Sequence, residues 1–160
     1  MSTNVLQIGS RLDSWVSFLR THSAITRQLN ADLLAGHGLT LHDYEVLLRL
    51  SNAEGGVMRR VDLAESVVLT ASGITRLLDG LERSGFVEKA TCSADARVSY
   101  AKLTEAGQTK LAQAATTHLA GVEDLFTGRY SEEELETLAE LLSRLPMTGK
   151  SCGGAASTCG

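Results

Sequence analysis

The sequence predicts a mainly α protein carrying one small β-hairpin, an α+β fold. Apolar residues recur at spacings of three and four over several long stretches, the mark of amphipathic helices. Two short strand-like runs, 86–90 and 98–103, flank a small polar break. There is one proline in 160 residues, Pro146, while leucine and alanine are abundant. A chain that is 43% apolar and 21% charged at this length has the makings of one globular domain with a real core.

The first helix spans 11–34, with Leu12, Trp15, Leu19, His22, Ile25, Leu29 and Leu33 along one stripe. Gly36 and Gly38 are expected to end it. Thr40 then caps a second helix, and Asp43 stands three residues on, as in a capping box. Tyr44, Leu47 and Leu50 carry its buried face, and Gly55-Gly56 breaks it. Residues 59–67 suit a short third helix with Leu63, Ala64 and Val67 inward. A break of only a few residues leads to a fourth, N-capped by Thr70. Two helices so joined make a helix-turn-helix.

In the fourth helix Ile74, Leu77, Leu78 and Leu81 form the core face. At about 100° per residue, Ser72, Thr75, Arg76 and Asp79 fall opposite. Gly85 ends the helix and the hairpin follows, with Asp95 and Arg97 at its tip. Residues 104–126 form a long helix striped by Leu111, Ala115, Leu119, Val122 and Phe126. Ser131 and Glu134 form a capping box for a last helix, where Leu135, Leu138, Leu142 and Leu145 face inward before Pro146. Residues 147–160 are rich in Gly, Ser and Ala and read as a flexible tail.

A helix followed closely by a basic-tipped hairpin suits double-stranded DNA. The helix enters the major groove and the hairpin lies on the adjacent backbone or minor groove. The formal net charge of −4 does not advertise such a partner, but local potential governs binding. Residues 59–110 carry eight basic and seven acidic side chains, net +1, whereas 131–145 carry net −4. The acid is concentrated away from the candidate DNA surface. The first and last two helices have more apolar surface than a compact hairpin domain covers, which predicts a second copy of the chain as partner.

These residues resemble the MarR family of bacterial regulators over nearly the whole chain, about residues 11–145. The resemblance rests on LTASGITRLLDGLERSGFVE at 69–88, Asp95-Ala96-Arg97, and Leu103-Thr104-Glu105-Ala106-Gly107, in that order and spacing. It implies a winged helix-turn-helix over about 40–103 and dimerisation helices over about 11–35 and 104–146. Residues 1–146 then form a single domain. It also implies an obligate homodimer on a palindromic operator, released by a small phenolic or organic-acid ligand or by an oxidant. The family's wing usually reads Asp-Arg-Arg. Here Arg97 matches the arginine that enters the minor groove and Asp95 its orienting carboxylate, while Ala96 removes one charge.

The candidate DNA-binding residues are therefore Thr70, Ser72, Thr75, Arg76, Asp95 and Arg97, with Arg59 and Arg60 as candidate phosphate contacts. For the helix residues the plain alternative is a solvated face. Trp15, His22, His42, Tyr44 and Glu45 are candidates for an effector pocket, against simple core and interface packing. Cys92 beside the hairpin tip, with Cys152 and Cys159 in the tail, are candidate redox sensors, against inert thiols. An odd number of cysteines argues against a disulfide framework.

No cofactor or metal is expected. No nucleophile–base pair, phosphate loop or metal-ligand spacing points to an enzyme. No signal peptide or membrane span is visible, so a cytoplasmic protein is the expectation. The functional expectation is a repressor released by a small molecule, with thiol-based redox sensing as the alternative. A module that binds protein rather than DNA is the reading from another class. The joint presence of Arg76 and Arg97 argues against it.

Overall fold

The computed structural model describes residues 5–67, 69–92 and 95–146. Six helices and a three-stranded antiparallel sheet follow one another as α1 (Val5–His37), α2 (Leu41–Asn52), β1 (Val57–Arg59), α3 (Arg60–Ser66), α4 (Ala71–Arg83), β2 (Val87–Cys92), β3 (Asp95–Leu103), α5 (Glu105–Leu125) and α6 (Glu132–Ser143). The tail at 147–160, with Cys152 and Cys159, lies outside the described residues.

Helix α1 runs through Gly36 and stops only at His37, beyond the expected end. Gly38, at φ 67°, turns the chain there and donates its N–H to the Leu34 carbonyl at 3.0 Å. The predicted caps are present. Thr40 and Asp43 form a complete capping box on α2, as Ser131 and Glu134 do on α6. Thr70 Oγ1 accepts from Gly73 N at 3.1 Å and closes the first turn of α4.

The sheet has the order β1-β3-β2. Strand β1 is an element the sequence analysis did not foresee, since it placed Arg59 in a helix. Three residues show no readable alternation. They become a strand because β3 offers partners, with Val57 opposite Lys102, Met58 opposite Ala101 and Arg59 opposite Tyr100. The third strand also anchors the hairpin at its base.

Leu33 of α1, Val46, Leu47 and Leu50 of α2, Leu63 of α3, Leu78 of α4 and Val87 of β2 are completely or almost completely buried in one core. That core holds the helix-turn-helix, the sheet base and the start of α5 together. Gly107 lets α5 approach so closely, because a Cβ there would overlap the Phe86 carbonyl oxygen. Thr104 completes the joint. Its Oγ1 donates to the Gly85 carbonyl at 2.6 Å and accepts from Gly107 N at 3.0 Å.

The ends of the chain bury much less. Leu12, Trp15, Phe18 and Leu19 of α1 and Leu119 of α5 are exposed, and α6 buries none of its side chains. Leu145, expected inward, is also exposed.

Candidate nucleic-acid interface

Helix α4 divides as its periodicity predicts. Ile74, Leu78 and Leu81 face the core, and Thr70, Ser72, Thr75 and Arg76 are exposed. The free amides of its first turn add the partial positive charge of a helix N-terminus to that face. Thr75 Oγ1 donates to the Ala71 carbonyl at 2.8 Å, and Thr70 Oγ1 lies 3.3 Å from Ser72 Oγ. These local bonds limit how the short side chains rotate and so define the groups the face presents.

The hairpin extends further than predicted, with strands reaching Cys92 and Asp95. Its pairing is regular from Val87 opposite Leu103 to Thr91 opposite Ser99, then shifts so that Cys92 pairs with Asp95. Residues 96–98 of β3 have no counterpart on β2 across that shift. Arg97 thus sits on an irregularity of the strand, and such bulges re-aim a side chain. Its side chain is exposed. The side chains of Cys92 and Asp95 lie outside the described part of the structure.

The two candidate phosphate contacts part company. Arg59 is half exposed and grips Asp62 with two bonds, Nε to Oδ2 at 2.7 Å and Nη2 to Oδ1 at 2.8 Å. The Asp62 hydrogen bond raises the Arg59 pKa further above its already high ordinary value. Arg60 turns inward instead. Its Nη2 lies 3.6 Å from Glu82 Oε1 and 3.8 Å from Asp79 Oδ1, both on α4. Sequence reasoning missed this contact because the partners stand about twenty residues away, beyond any helical spacing.

The five candidate effector residues do not gather in one place within a single chain. Tyr44 is buried in the core and its ring meets His118 of α5, centroids 4.5 Å apart. Burial pushes His118 below its ordinary 6.5, opposed by the nearby Glu45 carboxylate, and raises the Tyr44 phenol above 10.0. His118 Nδ1 is buried with no hydrogen-bond partner. His42 is exposed at the start of α2.

Trp15 and His22 instead flank Phe18 in an exposed ring stack on α1, with centroid spacings of 6.2 and 6.3 Å. Asn30 of α1 touches the start of α2, its Oδ1 accepting from Leu41 N at 2.9 Å. Trp15 lies about 22 Å earlier along the helix axis, at 1.5 Å of rise per residue.

Among the described residues, no group of three or more His, Cys, Asp or Glu is placed to hold a metal ion. Among the same residues, no helix is long and apolar enough to cross a membrane.

Known proteins share this arrangement. The MarR family model matches residues 39–99, which contain the helix-turn-helix and most of the hairpin. AbsC of Streptomyces coelicolor, a MarR family transcriptional regulator, is 31% identical, with 90% of this chain and 93% of AbsC covered and a TM-score of 0.77. Sco3205 of the same organism, solved in complex with DNA, is 24% identical, covers 85% of each chain and shares the fold with a TM-score of 0.81. The transcriptional repressor YetL of Bacillus subtilis is 32% identical over 111 residues, 69% of this chain and 66% of YetL. Family match, likeness to AbsC and the winged arrangement of helix and hairpin agree: the chain belongs to the MarR family of transcriptional regulators.

Proposed function

We propose that the protein is a homodimeric DNA-binding repressor that holds a palindromic operator and is released by a small organic ligand. One observation carries the DNA reading: α4 exposes Ser72, Thr75 and Arg76 on a single face, and the adjoining hairpin exposes Arg97 on a strand irregularity. Arg76 suits bidentate recognition of guanine, the short hydroxyls suit phosphates and base edges, and Arg97 suits the minor groove or its phosphates. Thr70 assists by capping the helix that carries them. Asp95 is the proposed orienting carboxylate for Arg97.

Homodimerisation is supported by the uncovered apolar ends. Leu12, Trp15, Phe18, Leu19, Leu119 and Leu141 are each at least 42% exposed. An open groove of about 410 Å³ runs along α6 past Leu138 and Leu141. Water-exposed apolar surface on this scale favours burial against a copy of itself. A two-fold dimer with one reading head per subunit calls for a palindromic site. Repression is supported by the likeness to the transcriptional repressor YetL.

Release by a planar organic acid is supported by the Tyr44–His118–Glu45 cluster at the α2–α5 junction. There an aromatic pair and an unpartnered ring nitrogen lie together. A ligand that prefers one spacing of the two reading heads shifts the population toward it.

A gel-shift titration on DNA from upstream of the gene, under reductant and under mild oxidant, tests this reading. Specific retardation indifferent to redox state and relieved by aromatic acids is expected. Loss of retardation under oxidant alone would transfer the sensing role to Cys92, Cys152 and Cys159. No specific retardation in either condition would overturn the DNA reading in favour of a protein-interaction module.

A further inference from the structure

The geometry points to Arg60 as a positioning residue for DNA binding, and we infer that it acts through the carboxylates of Asp79 and Glu82 rather than by touching phosphate. The inference rests on the proposed DNA-binding role of α4. Arg60 opens α3, and its side chain is only 18% exposed, against 52% for its neighbour Arg59. Its guanidinium reaches across to α4, 3.6 Å from Glu82 and 3.8 Å from Asp79. Arg60 Nε and Nη2 and Glu82 Oε1 are all buried without a hydrogen-bond partner, so what these atoms have is each other's charge. Glu82 itself is 17% exposed, and its other oxygen lies 3.5 Å from Lys89 of β2.

This arrangement has two consequences for α4. Arg60 fixes the last turns of the helix against the first turn of α3, which sets how far α4 stands out from the core. It also cancels acid where acid harms binding. Asp79 lies three residues after Arg76 and seven after Ser72, on the same side of the helix as the proposed DNA contacts. A carboxylate left uncompensated there repels phosphate. Lys89 is a poor substitute, because its side chain is 62% exposed and its charge is screened by water.

The test is a double-mutant cycle on the full chain, read by titration of operator DNA and by thermal unfolding without DNA. Arg60→Met keeps the stem of the side chain and removes the charge. It is expected to weaken operator binding about tenfold, within the range of coupled charge pairs. The same change made in an Asp79→Asn, Glu82→Gln background is expected to have little effect on binding, because no carboxylate remains to be cancelled. Arg60→Lys should restore part of the loss.

A direct phosphate contact predicts the opposite. The loss from Arg60→Met would then be the same in both backgrounds, and that result overturns the inference while leaving the DNA reading intact. Additive melting temperatures for Arg60→Met and Glu82→Gln would also overturn it, with no DNA involved. A wild-type chain that binds no specific DNA overturns both readings together.

Discussion

The rings of Tyr44 and His118 meet with centroids 4.5 Å apart, joining the first turn of α2 to the second half of α5 across 74 positions of sequence. The contact connects α2, which packs against both helices of the helix-turn-helix, to the helix that leads toward the proposed dimer face. It also places an ionisable ring where burial disfavours its charge.

Stability should therefore fall in mild acid. Burial, the leading cause, lowers the His118 pKa below 6.5 in the folded state, and Glu45 opposes it only in part. The unfolded chain then binds a proton more readily than the folded one. The contribution of this group is fully present above pH 6.5 and is lost as pH falls from there through the lower folded value. Melting temperatures measured between about pH 5 and 8 should decline on the acid side for wild type and decline less for His118→Gln. Parallel curves would show that His118 is not the titrating group.

Gly107→Ala should destabilise the fold by about 2–3 kcal/mol, the scale of overpacking a tight contact. The added Cβ would overlap the Phe86 carbonyl oxygen and lie 2.7 Å from Leu103 Cδ1, and backbone cannot move aside cheaply. Gly36→Ala is the control. Nothing lies within 4 Å of a Cβ there, and the residue is helical, so a gain of about 0.5–1 kcal/mol is expected. Chemical denaturation of the two variants reads both signs.

Arg97→Ala should leave fold and dimer intact and weaken operator binding by about 1–3 kcal/mol, the scale of a direct DNA contact. Its backbone lies on the strand irregularity, away from the buried core. Fluorescence anisotropy on an operator duplex measures the loss. Affinity equal to wild type would remove Arg97 from the interface.

Leu141→Glu should convert the proposed dimer to monomer at micromolar concentration. Leu141 is 48% exposed and lines the groove on α6, so a carboxylate there costs the single chain little but is forced out of water in a dimer. Sedimentation velocity reports the mass. Circular dichroism should stay helical, and an unchanged dimer would place the interface elsewhere.

Much of this architecture is legible in local sequence. The apolar spacing of α4 assigns Ile74, Leu78 and Leu81 to the core and Ser72, Thr75 and Arg76 to solvent. The caps at Thr40, Thr70 and Ser131 are readable because each bond joins residues three apart. Such signals survive in a single sequence because helical geometry brings residues three and four apart together whatever surrounds them.

Only the tertiary structure decides the rest. Strand β1 exists because β3 lies beside it, and α2 gains its first-turn acceptor from Asn30 of another helix. Arg60 looks like Arg59 in sequence, yet Arg59 grips a carboxylate three residues on, in the first turn of α3, while Arg60 reaches across to α4. The predicted effector residues divide between Tyr44 and Glu45 near His118 and an exposed ring stack on α1. The physical reason is common to all of these. Sequence periodicity reports which face of an element is apolar, but which distant element covers that face, and which charge meets which, is settled only when the core closes.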